Sequence, residues 1–284
     1  MKLATPSGIV LDTLLRQWLS EDIGRGDVTT QGLLLCDRQG KAEWIIKEDG
    51  IVAGLTIAAN VFGILDPETI FTPTIAEGHF CKSGTKIAEM IGKMETLLTG
   101  ERTALNLAMR LSGIATATKK YVDRIENLPT QFVDTRKTTP GLRILEKYAT
   151  RVGGAVNHRL GLDDAVMIKD NHIRAVGGID KAITLVRSNM PYPLTIEVET
   201  SNLDEVQEAI KHGADIIMLD NMTIEMMTQA VKLIRPIERK IKIEASGNIT
   251  LDNINAIART GVDYISSSAP ITRSYWLDLS MRFL

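Results

Sequence analysis

From residue 130 onward the chain alternates between short apolar runs and amphipathic stretches, and that alternation leaves few architectures open. The runs stand at residues 131–133, 165–168, 194–198, 216–219, 242–245 and 262–265, with a weaker one at 155–156. Runs this short, bounded by turn residues, have the pattern of buried parallel strands. Between them the period changes to that of a helix. One helix is entered at Ser201, carries Leu203, Val206 and Ile210 on one face, and stops at Gly213. A second carries Ile224, Met227, Val231 and Ile234; a third starts at Thr250, carries Leu251, Ile254 and Ile257, and ends before Gly261. Such repeats build a parallel sheet covered by helices. About seven strands in roughly 140 residues fall short of the ~250 residues of a full eight-fold barrel, so a compact or incomplete barrel is expected.

The first third has a different grammar. Leu11, Leu14, Leu15 and Trp18 form one helical face, with Ser7 as its expected cap. EDIGRGDVTT (residues 21–30) reads as a loop because of its glycines. Residues 41–47 alternate, with Ala42, Trp44 and Ile46 on one side of a half-buried strand, and Asp49-Gly50 is a turn. Further strands are expected at 69–74 and 86–91, with a helix near Val61. A small α+β domain therefore ends near residue 95. Residues 96–125 read as a helix with Leu98, Leu105, Met109 and Leu111 on its apolar side and a break at Gly113.

The chemistry sits in the residues just after each strand. The runs end in Thr135-Arg136-Lys137, Asn157-His158-Arg159, Lys169-Asp170, Glu199, Asp220, Ser246-Gly247-Asn248 and Ser266-Ser267-Ser268. Polar groups at the carboxyl ends of consecutive parallel strands converge on one mouth, where such barrels place their chemistry. The Ser-Gly-Asn turn and the serine cluster come after the last strands, a common place for phosphate. Several cations in one mouth repel by roughly 4 kcal/mol per close pair at an effective dielectric near 20. Glu199 and Asp220 are the two obvious acids to offset them, so a small polyanion is the expected ligand.

Net charge is −2, so no global field draws the chain to nucleic acid or to an anionic membrane, and the anion site must be local. No run is long enough to span a membrane. Two cysteines, Cys36 and Cys81, are too few for a disulfide framework and lack metal-ligand spacing, which points to a reduced, cytoplasmic chain.

Taken singly, each feature has a plainer reading. Arg136-Lys137 fits a solvated pair, His158 a satisfied histidine, and Glu199 or Asp220 a helix cap. Their common position at the same end of successive strands favours convergence over coincidence. Met218, Met222, Met226 and Met227 read as packing.

The segments DTRKTTPGLRILEKY, GGAVNHRLGLDDAVMIKDNHI, IEVET, ADIIMLDNM and IEASGNITLDNI resemble the signature blocks of the quinolinate phosphoribosyltransferases. EDIGRGDVTT and GERTALNLAMRLSGIAT resemble the blocks of that family's first half. The resemblance spans nearly the whole chain. It implies the α/β fold of a type II phosphoribosyltransferase: an N-terminal α/β sandwich domain (1–112) with a dimer-forming helix, then an open seven-stranded α/β barrel (113–284). Segment 273–284 is expected to pack back on the first domain. A homodimer or higher homo-oligomer is implied, each active site being capped by the neighbouring subunit.

The resemblance also implies roles. Arg102 matches an arginine lent across the dimer interface to the substrate's carboxylates. Arg136, His158 and Arg159, with the Thr135 backbone nearby, match the other quinolinate-binding residues. Lys137 and Lys169 match lysines facing substrate and pyrophosphate. Glu199 and Asp220 match carboxylates near the ribose hydroxyls and Mg2+, the latter held directly or through water. Ser246, Gly247 and Asn248 match the turn that holds the ribose 5-phosphate, and Ser267, Ser268 and Ala269 the adjoining loop. There the chain departs from many members, which carry glycine where Ser268 stands.

The implied reaction joins quinolinate to phosphoribosyl pyrophosphate with decarboxylation, giving nicotinate mononucleotide, pyrophosphate and CO2 for NAD biosynthesis. Three other readings compete with it. A paralogue of the same fold acting on another nitrogen heterocycle is one, such as the molybdenum-associated branch, which resembles the family but lacks the full KTTPG and KDNH blocks, both intact here. A Schiff-base aldolase barrel makes Lys137 or Lys169 a nucleophile. A non-catalytic anion-binding barrel is the third.

Overall fold

The computed structural model describes residues 6, 8–35, 38–237 and 240–284; Ser7 and Cys36 lie outside them. In chain order the elements begin with helix α1 (Gly8–Ile23), short helix α2 (Val28–Gly32), and strands β1 (Gln39–Ile46) and β2 (Gly50–Ile51). Helix α3 (Leu55–Leu65), strands β3 (Ile70–Pro73), β4 (Phe80–Cys81) and β5 (Lys86–Lys93), and the 31-residue helix α4 (Met94–Arg124) come after them. Next come β6 (Gln131–Val133), α5 (Arg143–Val152), β7 (Val166–Ile168), α6 (Asp170–Val176), α7 (Ile179–Asn189), β8 (Ile196–Thr200) and α8 (Leu203–His212). The rest are β9 (Ile216–Asp220), α9 (Ile224–Ile234), β10 (Lys242–Ser246), α10 (Ile254–Ala258), β11 (Tyr264–Ser266), α11 (Ala269–Thr272) and β12 (Leu279–Phe283). The chain separates into two compact units, Met1–Lys119 with Ile144–Gly154 and Arg273–Leu284, and Lys120–Arg143 with Ala155–Thr272. Position 112/113 lies inside α4.

The first unit is built on an antiparallel sheet of order β12-β1-β5-β3. Alternation in β1 buries Ala42, Trp44 and Ile46 completely or nearly so, and Trp44 meets Phe71 edge-on at 5.4 Å and Phe62 at 6.4 Å. Each such aromatic pair adds about 0.5–1.5 kcal/mol beyond the area it buries. The opposite face of β1 carries Glu43, which pairs with Arg282 directly across on β12. Helix α1 buries Leu11, Leu15 and Leu19, one per turn, while Leu14 and Trp18 are half-buried.

Two expectations in this unit need correction. Residues 21–30 are only partly loop: α1 runs through Ile23, and α2 starts at Val28 because Asp27 caps it. The Asp27 carboxylate accepts from the Thr29 and Thr30 amides at 3.1 and 3.0 Å and from the Thr30 hydroxyl at 2.6 Å. Nor does α4 break at Gly113. A Cβ there would lie 1.9 Å from the Tyr275 carbonyl oxygen, so this glycine serves a close backbone approach. The buried stripe of α4 runs through Leu97, Ala104, Leu105, Ala108 and Leu111, with Leu98 and Met109 half-buried beside it. Cys81 is a buried free thiol.

The second unit holds the alternating segment. Its six strands form one parallel sheet of order β6-β11-β10-β9-β8-β7. The weak run at 155–156 contributes a single parallel bridge, Val156 to Val133, and so occupies a seventh position beside β6. Among the described residues no ladder joins β7 to that segment, so the barrel is open. Ile196, Val198, Ile217, Leu219, Ile243, Ala245 and Ile265 alternate along their strands into one buried cluster with Val206, Ala209, Met227, Ala230, Ile254 and Ile257 of the helices. That layer between sheet and helices is the unit's core.

Helix starts differ in detail from the expected ones. Asn202, not Ser201, caps α8, its side-chain oxygen accepting from the Glu205 amide at 2.9 Å, and Gly213 ends the helix at φ 92°. Helix α10 begins at Ile254, after a turn in which Thr250 and Asn253 bond to each other's side chains through their amides. Among the described residues no helix is long and apolar enough to cross a membrane.

Candidate active site

A strand's period of two decides what reaches the inside of this barrel. Where Ile196 and Val198 face the helices, Glu197 and Glu199 face the other way. The same parity turns Met218 and Asp220 of β9, Glu244 and Ser246 of β10, and Ser266 of β11 away from the apolar layer. At the carboxyl ends of the strands these residues line a cavity of about 600 Å3. Thr135, Arg136 and Lys137 enter it after β6, His158 and Arg159 after the Val156 bridge, and Lys169 after β7. Glu199 and Asp220 end β8 and β9; Ser246, Gly247 and Asn248 extend from β10, and Ser267 and Ser268 from β11.

Two of the expected site residues are outside this lining, one of them, Arg102, having been expected to serve a neighbouring subunit's cavity. Ala269 opens α11 outside the cavity lining, and its amide donates to the Ser267 hydroxyl at 3.2 Å. Arg102 is exposed on α4 and is not part of this lining.

Local bonds set each functional group in place. Asp134, at the end of β6 and 1% exposed, accepts from the His158 amide at 2.8 Å and from Asn157 Nδ2 at 2.6 Å. This fastens the His158-Arg159 loop beside the Arg136-Lys137 loop. Arg159 donates to the Ala165 carbonyl at 2.8 Å, which leaves its guanidinium half-buried. Burial, and next the charge of Arg136, pull Arg159 below the usual arginine range. Arg136 Nε is buried with no hydrogen-bond partner. Lys169 Nζ lies 2.9 Å from Glu199 Oε2, and the Lys169 amide donates to His172 Nδ1 at 3.0 Å.

The turn after β10 is shaped by left-handed backbone at Gly247 (φ 92°), Asn248 (φ 52°) and, across from them after β9, Asn221 (φ 54°). A Cβ on Gly247 would meet Asn221 Oδ1 at 2.2 Å and the Asn221 nitrogen at 2.9 Å, so only glycine fits. Asn221 donates to Asp220 Oδ2 at 2.7 Å and accepts from Asn248 Nδ2 at 3.1 Å. Asp220 and the Ser246-Asn248 turn are thus one hydrogen-bonded assembly.

The charge balance is richer than the sequence suggested. Glu199 and Asp220 are not the only acids: Glu244 also lines the cavity, and Glu197 lies beneath it. Burial, and next the charge of Glu197, push Glu244 up to about 7. The four cations Arg136, Lys137, Arg159 and Lys169 outnumber the three carboxyl groups of the lining, Glu199, Asp220 and Glu244, and the raised Glu244 weakens the acid side further. An anion is still the ligand that such a cavity favours. Glu199 and Asp220, oxygen donors on paired strands, form a set that suits magnesium, which binds through one or two carboxylates together with substrate phosphates.

Asp134, Glu197, Asn221 and Glu244 were missed as site residues. The acids had a signal, since each stands at or within a short apolar strand run, where a charge demands a reason. Asn221 had a weaker one, as an asparagine directly after a strand end, where left-handed backbone is common. Met218, expected as packing, is buried yet lines the cavity.

Comparison with known proteins gives the site its context. Residues 114–282 match the model "Quinolinate phosphoribosyl transferase, C-terminal domain", and residues 27–112 match its N-terminal counterpart. A "Probable nicotinate-nucleotide pyrophosphorylase [carboxylating]" of Synechocystis sp. is 62% identical over 98% of this chain and 94% of its own. A protein of the same description from Bacillus subtilis is 43% identical over 95% of this chain and 92% of its own. The crystal structure of NadC from Streptococcus pyogenes superposes with a TM-score of 0.93 at 41% identity, covering 99% of both chains. With both domain models matched in order over nearly its whole length, the chain belongs to the quinolinate phosphoribosyltransferase family.

Proposed function

We propose that the barrel cavity is where the chain, a pentosyltransferase of NAD biosynthesis, transfers phosphoribosyl from phosphoribosyl pyrophosphate to quinolinate with loss of CO2. The observation that carries the placement is the convergence of Arg136, Lys137, Arg159 and Lys169 on one cavity at the carboxyl ends of the strands. Planar guanidinium forks suit the two carboxylates of a pyridine diacid better than point-charge ammonium groups do. Arg136, Arg159 and His158 therefore bind quinolinate, with Thr135 beside them. Ser246, Gly247, Asn248, Ser267 and Ser268 receive the ribose 5-phosphate.

The chemistry needs no nucleophilic side chain. The C1–O bond of the ribose breaks, and pyrophosphate leaves with its electron pair. Lys137 and Lys169 stabilise that leaving group, while Glu199 and Asp220 steady the positive charge growing on the sugar. The quinolinate nitrogen lone pair forms the N–C1 bond, which makes a pyridinium. The bond to the adjacent carboxylate then breaks; CO2 departs, and the electron pair remains on the ring carbon next to the positive nitrogen until a solvent proton completes nicotinate mononucleotide. Glu199 and Asp220 are the residues we assign to Mg2+, which supplies charge neutralisation for the phosphates. A Schiff-base role for Lys169 is disfavoured, because Glu199 engages its Nζ at 2.9 Å whereas a nucleophilic amine needs its lone pair free.

We assign Arg102 to the cavity of a partner subunit, which makes the working form a homodimer or larger assembly. The buried free thiol of Cys81 is in keeping with a cytoplasmic setting. Incubation with quinolinate labelled in the carboxyl group next to nitrogen, phosphoribosyl pyrophosphate and Mg2+ should release labelled CO2 in step with pyrophosphate. Chelation should stop the release, and added magnesium should restore it. Tight quinolinate binding without any CO2 would instead leave a non-catalytic anion-binding barrel.

A further inference from the structure

Beneath the cavity mouth, His158 meets two buried acids that the proposed reaction leaves unused. Its Nε2 lies 3.2 Å from Glu197 Oε2 and 3.5 Å from Glu244 Oε2, and both carboxyl side chains are about 95% buried. The other ring nitrogen faces a donor, since the Arg159 amide gives its hydrogen to His158 Nδ1 at 2.7 Å. Nδ1 therefore presents a lone pair, and the ring hydrogen sits on Nε2, the ring atom beside the two acids. The three donor atoms lie within 4.8 Å of one another, a spacing that also suits a metal ion. A ring nitrogen that carries its hydrogen cannot ligate a metal, so the bond to Nδ1 rules against that use. The His158 backbone is held as well, by the Asp134 carboxylate at 2.8 Å.

From this geometry we propose that Glu197 and Glu244 are positioning residues, which take the His158 Nε2–H and so lock the imidazole in one tautomer and one plane inside the cavity. The inference rests on the cavity being the quinolinate site, where a fixed ring plane sets how the aromatic diacid lies between His158 and the arginines. Aspartate or glutamate behind a histidine ring is a general means of fixing its orientation.

The test reads the ring directly. With 15N-labelled histidine there are four side chains to resolve, and His158→Asn identifies the signal of interest. Long-range proton–nitrogen correlation of the full-length protein should show His158 protonated at Nε2 with a bare Nδ1. Glu197→Leu with Glu244→Leu removes both acceptors at similar volume and leaves no lone buried charge. That variant should lose the single tautomer and raise KM for quinolinate about tenfold, the worth of one buried hydrogen bond, while KM for phosphoribosyl pyrophosphate stays within about twofold. Glu197→Gln keeps an acceptor and should restore the wild-type spectrum and KM. A wild-type ring protonated at Nδ1 would overturn the proposal without any variant. So would a folded leucine pair with unchanged tautomer and kinetics. The ring tautomer reports on the positioning whatever the substrate proves to be, whereas absent CO2 release speaks against the functional reading alone.

Discussion

A single proton on Glu244 should be visible in the stability of the whole chain. The ordinary value of this carboxyl is 4.5, and burial, reinforced by the charge of Glu197, pushes it up to about 7. The folded chain thus holds the proton more tightly than the unfolded chain does. As pH rises from 4.5 the unfolded form ionises first, so stability falls, and the loss is complete above about 7. Glu244→Gln should flatten that part of the profile, which urea unfolding at about pH 5 and about pH 8 would reveal. Gly247→Ala is a second sharp case. Its Cβ would strike Asn221, and its left-handed backbone adds roughly 1–2 kcal/mol of strain. KM for phosphoribosyl pyrophosphate should rise well above tenfold while KM for quinolinate moves less, in steady-state kinetics. The strand-end cations were legible in the sequence because each comes directly after an apolar run. The depth of Glu197 and Glu244 was not, because parity tells which face a residue takes but not how far below the mouth it lies.

At the level of elements, two forces disagree at Gly113. Helix propensity alone favours alanine by about 0.5–1 kcal/mol in the middle of a helix. The Tyr275 carbonyl, 1.9 Å from where the new Cβ would stand, opposes it. Overpacking of this kind costs about 1–3 kcal/mol, so Gly113→Ala should lower the melting temperature rather than raise it. Differential scanning calorimetry decides the sign. The sequence marks Gly113 as unusual but cannot say whether a mid-helix glycine bends the helix or admits a neighbour. The other strands and helices were legible where period and punctuation agree, as in β1, β8, β9 and α8. They were less so where a side chain, such as Asp27 or Asn202, moves a helix start by a few residues. The resemblance already returned segment 273–284 to the first domain, as the structure has it, but its strand at 279–283 went unread, since its partner lies in β1 and no local pattern announces a pairing across so many residues.

For the molecule as a whole, the assignment of Arg102 to a partner's cavity makes a quantitative claim. Arg102→Ala and Lys137→Ala should each abolish turnover alone. Mixed in equal amounts and allowed to exchange subunits, half of the dimers would be hybrids with one intact site, so about a quarter of wild-type activity should return. No recovery after verified exchange would sink the shared site. The antiparallel pairing of β1 with β12 has its own consequence at this scale. Domains commonly fold in the order in which the ribosome delivers them, the first segment first. Here the sheet begun at residues 39–46 lacks an edge strand until residues 279–283 emerge, after all of 120–272 has been made. The later-made barrel unit can therefore finish while the earlier sheet still waits with an open edge, reversing the usual order of synthesis and completion.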